Sequence, residues 1–530
     1  YENQGDYNVA IGNYALDATT TGNSNIAIGY QAGSAITTGT SNVLLGRDAG
    51  KLLTAGDQNI AIGHGALDAA TGGTEPGNTG IGNIAIGTDA LGTENSAADY
   101  CVAIGDSALA LQDANVKNIA IGGLAGDAIV GGTDNTFVGY LAGSAVSGGH
   151  SNTAVGNKAY QAGTGERNTI MGDGAGGGAL TGDNNTVMGS AAGASITDGP
   201  GNVCIGRKAG YLMTTGDYNV AIGFEAAVAM VGNSNTNIAI GKHALFTEAS
   251  AASNCIAVGL EALKMQNDAS AINLAIGTSA GVAITSGTAN VLIGYGAGSA
   301  IVDDDNNTAL GYNALLGATA GAGNTAIGSL AMDAALTGNY NTAVGEGALG
   351  AAAGAATDNT SIGAGSLFGI TNAATTGNVA IGRNAGRYYN DGGDDTAMTK
   401  AIDSIYIGNN ARGLHATNAD NEIVIGFNAI GGGANSIVLG DAQIGSIQCA
   451  DQSIAALSDR RAKRDINDNT VGLAFVEKLA TVNYKRVNPA DYPAALSVGS
   501  YNEQTREELV TPAVEAAEAV YEDAIVQEAR

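Results

Sequence analysis

The stretch Asn8-Val9-Ala10-Ile11-Gly12 decides the fold of this chain, because it recurs with small changes along most of the length. The same order of Asn, aliphatic, Ala, aliphatic and Gly returns at residues 25–29, 42–46 and 59–63, and it ends at residues 436–440. Twenty-five segments follow the pattern, most of them 16 to 19 residues apart. A unit this short cannot bury its own apolar side chains, so neighbouring units must stack. We therefore predict an all-β rod, a parallel β-solenoid of about 25 coils.

Composition excludes several other classes of protein. The 530 residues include 82 Gly but only 5 Pro and no Trp, and the net charge is −28. The glycines lack a three-residue period, which excludes collagen, and aliphatic residues are too frequent for a disordered chain. A nucleic-acid partner is not expected, because phosphate binding needs clustered Lys and Arg. Membrane insertion is not expected either, because no run of 18 apolar residues occurs.

Side chains within the motif alternate with a period of two, which is the geometry of a strand. Val9 and Ile11 point to one face, and Asn8 and Ala10 point to the other. We predict that the aliphatic pair fills the coil interior, where each buried side chain contributes roughly 1.5–3 kcal/mol. The Ala face would then allow another backbone to approach closely, as at an interface. The alternative is that Ala packs against the second strand of its own coil.

The ends of the motif carry further expectations. The closing glycine, such as Gly12, is predicted to take a positive φ at a corner of the coil. Asn occupies twenty of the twenty-five first positions, so stacking in register predicts an amide ladder. Longer steps before Gly87 and Gly408 predict surface loops inserted between coils.

Residues with the chemistry for metal binding or catalysis are sparse. The cysteines form no CxxC pair and are interpreted as small buried substitutions: Cys101, Cys204, Cys255 and Cys449. The histidines lack partners at ligand spacing and are expected in exposed loops: His64, His150, His243 and His415. The acidic runs at residues 303–305 and 394–395 offer oxygen ligands for calcium, but acidic loop tips on a soluble rod are the commoner explanation. We expect no metal and no cofactor.

Residues 8–440 resemble the YadA-like head repeats of trimeric autotransporter adhesins, and repeats found in bacteriophage tail fibres. Their signature is Val/Ile-Ala-Ile-Gly after Asn or Ser, with a small residue such as Ala a few positions on. The resemblance implies a left-handed parallel β-roll in which three chains lie side by side. The coil here is about three residues longer than the usual head repeat. We assign residues 1–445 to this rod, which at about 4.8 Å per coil would span roughly 120 Å.

A different region follows a linker at residues 446–457. It opens with Ser458-Asp459-Arg460-Arg461-Ala462-Lys463, and residues 472–479 then read as a short amphipathic helix. The motif Ser-Asp-x-Arg-x-Lys, followed by Gly-Leu, a helix and an aromatic-bearing strand, resembles the endosialidase-type intramolecular chaperone domain of phage fibres. The chain continues for 73 residues after Leu457, which is short for that family.

The second resemblance implies a self-cleavage reaction. That family trimerises its fibre and then cuts itself off just before the motif serine, so the implied scissile bond is Leu457–Ser458. Ser458 would be the nucleophile and Lys463 the base, which is workable chemistry because a desolvated Lys can accept the hydroxyl proton. Asp459 and Arg461 would orient the site or the trimer contact. The alternative is an ordinary charged domain entrance with no reaction.

These features together predict a virion structural protein. It would be a homotrimeric phage tail or appendage fibre, extracellular when assembled, whose partners are its own copies, other virion proteins and a bacterial host surface receptor. The C-terminal region, residues 458–530, would guide trimer assembly and set the register of otherwise identical coils. The alternatives are a bacterial trimeric surface adhesin and a polysaccharide-degrading tailspike, whose acidic pairs would lie in the inserted loops. Apart from single-turnover self-cleavage, no enzymatic activity is expected.

Overall fold

The computed structural model describes residues 5–18, 21–68, 80–92, 99–112, 117–247, 252–319, 321–352, 354–372, 374–389 and 396–444. By its contacts the chain divides into two units, Tyr1–Ser446 and Ile447–Arg530, and the described residues all belong to the first. The predicted linker, the chaperone-like region and Cys449 lie outside the described residues.

The described chain is a parallel β-solenoid, as predicted, and contains no helix in the ranges given above. One long sheet holds 25 strands of three residues each, and each strand pairs in parallel with the equivalent strand of the next coil. We call it the main sheet. Its strands are β1 (Val9–Ile11), β2 (Ile26–Ile28), β3 (Val43–Leu45), β4 (Ile60–Ile62), β5 (Ile84–Ile86), β6 (Val102–Ile104), β7 (Ile119–Ile121), β8 (Thr136–Val138), β10 (Thr153–Val155), β12 (Thr169–Met171), β14 (Thr186–Met188), β15 (Val203–Ile205), β16 (Val220–Ile222), β17 (Ile238–Ile240), β18 (Ile256–Val258), β19 (Leu274–Ile276), β20 (Val291–Ile293), β21 (Thr308–Leu310), β22 (Thr325–Ile327), β23 (Thr342–Val344), β24 (Thr360–Ile362), β25 (Val379–Ile381), β27 (Ile405–Ile407), β29 (Ile423–Ile425) and β30 (Ile437–Leu439). Two small sheets hold the two-residue strands β9 (Ala145–Val146), β11 (Ala162–Gly163) and β13 (Ala179–Leu180), and β26 (Ala401–Ile402) and β28 (Ala419–Asp420).

The long steps in the repeat do not interrupt the main sheet. Ile60 of β4 pairs with Ile84 of β5, and Val379 of β25 pairs with Ile405 of β27, in the same register as every other coil. The additional residues therefore leave the strand pairing unchanged. The surface loops predicted there include residues 69–79 and 390–395, which lie outside the described ranges.

The prediction of which strand face fills the coil interior is wrong. In all main-sheet strands except the terminal β1 and β30 the central residue is buried, as at Ala27 and Ala239, whereas its aliphatic neighbours are partly exposed, with Ile28 at 38% and Ile240 at 36%. The Ala face therefore packs inside its own coil, which is the alternative interpretation, and the aliphatic pair faces outward. In these two coils the opposite side supplies a bulky side chain to the interior, Ile36 and Leu245, so a small central residue fits there.

That opposite side contributes a large side chain to most coils. In some coils it is a Leu four residues after the corner glycine, such as Leu67 or Leu91, and both are fully buried. In others a second Gly stands there and an aliphatic residue follows three positions later, as with Gly33 and Ile36. A Cβ on Gly33 would lie 3.0 Å from Cδ1 of Ile36, so a side chain at this place crowds the aliphatic residue three positions later. The second Gly also leaves room for a large central strand residue in some coils, as Gly143 does for Phe137, and the interior is close-packed in either case.

The corner glycines have the positive φ that the sequence predicted. Gly223, for example, has a φ of +136°. A Cβ on Gly223 would also lie 2.6 Å from the carbonyl oxygen of Gly241, the equivalent glycine one coil on. Both the backbone conformation and the close stacking of coils therefore require glycine at this corner.

The Asn ladder is present, but most of its hydrogen bonds join a side chain to the backbone. The backbone N of Asn219 donates to Oδ1 of Asn202 at 2.9 Å, and its own Oδ1 accepts from the backbone N of Asn237 at 2.9 Å. Its Nδ2 donates to the carbonyl oxygen of Ser234 at 2.7 Å. Amide-to-amide bonds, such as Asn219 Nδ2 to Asn202 Oδ1 at 3.1 Å, are added in some coils. Each buried Asn thereby satisfies polar groups of its neighbours.

Two coils replace the ladder Asn by Cys, and a buried Gln in the same coil supplies the missing amide. Gln266 stands eleven residues after Cys255, and its Oε1 accepts from Nδ2 of Asn273 at 2.7 Å. Gln112 has the same relation to Cys101, and its Oε1 accepts from Nδ2 of Asn118 at 3.1 Å. In these coils the Gln makes one of the hydrogen bonds that the ladder Asn makes elsewhere, which explains why Cys is accepted at the ladder position.

A second ladder runs along the turn two residues before the motif. Oδ1 of Asp57 accepts from the backbone N of Thr40 at 2.7 Å, and Oδ1 of Asp183 accepts from the backbone N of Glu166 at 2.8 Å. In both cases the Asp accepts a hydrogen bond from a backbone N–H of the preceding coil. These bonds connect successive turns, as the Asn ladder connects successive strands.

Candidate functional site

The first and third residues of the main-sheet strands form a surface that we call the outer face. The third residue is Ile, Val, Leu or Met in all 25 strands, and the first is aliphatic in 17 and Thr in 8. These side chains are half-exposed or exposed, with Leu310 at 45% and Leu439 at 48%. The outer face therefore carries no charged residue, and its third position forms an unbroken apolar stripe along the rod.

An exposed apolar stripe of this kind is unusual on the surface of a monomeric protein. Parallel sheets are normally buried on both faces, and their strands then read as apolar throughout. Contiguous apolar patches larger than a few hundred Å² mark interaction sites. The arrangement of the outer face is therefore that of a docking surface and not of a catalytic cleft.

Aromatic side chains lie at the corners on both sides of the outer face. Exposed tyrosines stand immediately before the motif at Tyr7, Tyr100, Tyr218 and Tyr340, and immediately after its glycine at Tyr30, Tyr140, Tyr295 and Tyr312. The rings of Tyr295 and Tyr312, one coil apart, stack with centroids 5.4 Å apart and planes 14° apart. Tyrosine combines an apolar ring with a polar tip and is enriched at protein interfaces.

His243 corrects the expectation that the histidines are exposed loop residues. It lies between carboxylates of the two adjacent coils, with Nε2 3.3 Å from Glu225 Oε2 and Nδ1 3.7 Å from Glu261 Oε1, and its side chain is only 19% exposed. A hydrogen bond from Lys264 is the main reason why the pKa of Glu261 is lowered. The signal in the sequence is the separation of 18 residues on each side, which equals one coil. His64 has a similar but more exposed position, 3.9 Å from both Asp48 and Asp89.

The Asn ladder ends in a buried carboxylate that no sequence motif indicated. Glu422 takes the ladder position, where its Oε2 accepts from the hydroxyl of Tyr406 at 3.1 Å and its Oε1 from the backbone N of Gly433 at 2.8 Å. Burial, and then the neighbouring Glu422 carboxylate, raise the pKa of Tyr406 far above its usual range. Both carboxylate oxygens are thus occupied within the fold, which is a structural role.

The described part of the chain offers no metal centre. None of its groups of His, Cys, Asp and Glu places three ligands together. Asp305, from the acidic run, instead accepts from the backbone N and the hydroxyl of Thr288, and residues 394–395 lie outside the described ranges. Burial raises the pKa of the Cys204 thiol to about 12, so this cysteine is unreactive. Cys101 and Cys255 are likewise buried, and neither forms a disulfide bond.

The residues predicted to carry self-cleavage are not among those described. Ser458, Lys463, Asp459 and Arg461, together with the bond Leu457–Ser458, all lie beyond residue 444. Their roles therefore stay predictions. Within the described ranges, no helix has the length and apolarity needed to cross a membrane.

No protein-family model, no curated protein sequence and no solved structure matches this chain. Its function is therefore inferred from the chemistry of the rod itself.

Proposed function

We propose that this protein is a structural fibre whose copies associate side by side through the outer face. The observation that carries the proposal is the third strand position, which is a large apolar residue in all 25 strands while remaining partly open to solvent in the single chain. Each aliphatic side chain that passes from half-exposed to buried contributes on the order of 1 kcal/mol. Summed along the rod, that contribution favours association strongly.

The partner that fits best is another copy of the same chain. Neighbouring strands lie about 4.8 Å apart, so a partner must match that spacing over 25 consecutive strands. An identical rod lying parallel has the required spacing by construction. Rotational symmetry around an axis parallel to the rods would bury every outer face at once and close the assembly. The resemblance to YadA-like head repeats supports three copies.

Within this proposal the protein is a homotrimeric tail or appendage fibre of a virion that contacts a bacterial host surface. The region from Ser458 to Arg530 would guide trimer assembly, and the motif Ser-Asp-x-Arg-x-Lys supports a cut at Leu457–Ser458. A bacterial trimeric adhesin and a polysaccharide-degrading tailspike would use the same rod. Cleavage of a bacterial surface polysaccharide by the purified protein would favour the tailspike.

The native mass of the protein in solution tests the proposed association. A trimer has three times the chain mass of 52.1 kDa, less any segment removed by cleavage. Ile240→Asp, on the outer face, should weaken the assembly and raise the protein concentration at which it dissociates, since an uncompensated buried charge carries a penalty of several kcal/mol. Leu212→Asp is the matched control, because Leu212 is similarly exposed at 41% but lies on the turn side of the coil.

The outcomes separate clearly. A trimeric wild type and control, with an Ile240→Asp variant that dissociates at a higher concentration than either, support the proposal. A monomeric wild type at micromolar concentration contradicts it.

A further inference from the structure

The first strand position of the outer face is not uniform but divided into blocks. It is aliphatic in seven strands, Thr in four, aliphatic in six, Thr in four and aliphatic in the last four. The first threonine block is Thr136, Thr153, Thr169 and Thr186, and the second is Thr308, Thr325, Thr342 and Thr360. The third position stays apolar throughout, so on the outer face only the first position changes between apolar and polar residues along the rod.

The fold of the single chain does not require this pattern. Strands pair in the same register across each block edge, as in Ile119 with Thr136 and Thr186 with Val203. None of the eight threonine hydroxyls, all of which belong to described residues, makes a hydrogen bond within the chain. Thr and Val have nearly the same shape, but Thr brings a hydroxyl that needs a partner when buried. The reason for the blocks therefore lies outside the single coil stack.

We propose that the two threonine blocks set the axial register in which copies of this chain associate. The inference rests on the proposed self-association and adds to it the means by which nearly identical coils avoid slipping. With no offset, threonine layers of one copy meet threonine layers of the next, and hydroxyls can pair with one another. An offset of one coil places Thr against an aliphatic side chain at four block edges for each pair of chains.

Larger offsets either reduce the number of matched threonines further or leave many coils without a partner. At an offset of four coils no threonine of one copy meets a threonine of its neighbour. An offset of ten coils superimposes the first block on the second, but it leaves ten coils of each chain without a partner. The rod would thus carry its own register information, independently of any C-terminal clamp.

Cysteine cross-linking between adjacent coils measures the register directly. One sample of the full chain carries Ile222→Cys in β16 and another carries Ile240→Cys in β17, and the two are co-assembled and oxidised. Mass spectrometry of the linked peptides then reports 222–222, 240–240 and 222–240 pairs. For the wild-type blocks we expect same-coil links to dominate. Replacing all eight threonines by Val should raise the 222–240 fraction about tenfold, which corresponds to about 1.4 kcal/mol.

A second variant keeps the number of threonines and moves both blocks one coil towards the N-terminus. It combines Ile119→Thr, Thr186→Val, Val291→Thr and Thr360→Val. Co-assembled with a chain that has the wild-type blocks, it should place each of its coils against the next coil of that chain.

The shift should make the cross-links directional. A link should form when Ile222→Cys is in the shifted chain and Ile240→Cys is in the chain with wild-type blocks. With the two cysteine substitutions exchanged between the chains, the two positions lie two coils apart and the link should not form.

The results distinguish the inference from the function on which it rests. Same-coil links alone, in both variants, would overturn the register role of the threonines and leave self-association intact. Absence of any intermolecular link and of any oligomer in the wild type would overturn the self-association as well. Directional 222–240 links with the shifted chain support both.

Discussion

Two glycines of neighbouring turns, Gly223 and Gly232, have positive φ for different structural reasons. Gly223 has a φ of +136° and faces the backbone of the next coil, with Gly241 O 2.6 Å from the place of a Cβ. Gly232 has a φ of +70°, and a Cβ added to it would have no atom within 4 Å. Gly223 therefore combines a backbone conformation essentially confined to glycine with close stacking of coils, whereas Gly232 has only the left-handed conformation.

Replacing each glycine by Ala should give unequal losses of stability. Gly232→Ala should cost about 1–2 kcal/mol, the strain of a left-handed conformation. Gly223→Ala should cost a further ~1–3 kcal/mol, because the methyl group overlaps the next coil. Denaturant unfolding of both variants measures the difference. Equal losses would show that the coils can separate enough to admit a methyl group, contrary to this account.

At the scale of the element, the ladders explain how strands of only three residues hold together. A single Asn such as Asn219 connects three successive coils through bonds to Asn202, Ser234 and Asn237. Where the Asn is missing, a Gln from the far side of the coil supplies an amide, as Gln266 does for Asn273. The coil stack is thus stabilised by buried polar contacts as well as by its apolar core.

Asn219→Ala should destabilise the rod strongly for a single substitution. It removes the bonds that Asn219 makes to the carbonyl of Ser234 and to the backbone N of Asn237, and each buried hydrogen bond lost in this way costs about 1–3 kcal/mol. Asn233→Ala is the matched control, because Asn233 is exposed and loses only one bond, from the hydroxyl of Thr215. Its effect should stay within about 0.5 kcal/mol. Thermal unfolding followed by circular dichroism compares the two, and a ladder variant as stable as the control would refute the role assigned to Asn219.

At the scale of the whole molecule, charged residues are absent from the apolar outer face. The net charge is −28, yet the outer face along the main sheet contains no charged residue. Like charges therefore do not meet directly at the surface through which we propose that the rods associate. Acidic residues on the other sides would keep assembled fibres from aggregating further.

The predicted self-cleavage would remove the whole C-terminal region, and it is tested by the intact mass of the expressed chain. The wild type should lose residues 458–530, because Ser458 is the predicted nucleophile, and Ser458→Ala should keep them. Ser453→Ala, a serine five residues earlier, is the control and should be cut like the wild type. An uncut wild type, or a cut Ser458→Ala variant, would contradict the assignment of this serine while leaving the rod unaffected.

The repeat in the sequence was enough to predict the class of fold, the parallel in-register strands, the corner glycines and the Asn ladder. Each of these follows from local chemistry that must be repeated at the same place in every coil. A glycine such as Gly223 and an amide such as Asn219 have the same neighbours one coil above and below, so the spacing alone identifies those neighbours.

The tertiary structure alone decided which strand face lies inside. A period of two shows that the two faces differ, but what the opposite side of the coil supplies determines which residues fit inside: Ala239 shares its coil with the buried Leu245, whereas Phe137 shares its coil with Gly143. Contacts across the turns, such as His243 between Glu225 and Glu261, likewise depend on how far each coil advances. The outward position of the aliphatic pair, and with it the proposed association surface, is thus a consequence of packing volume that the alternation of residues does not contain.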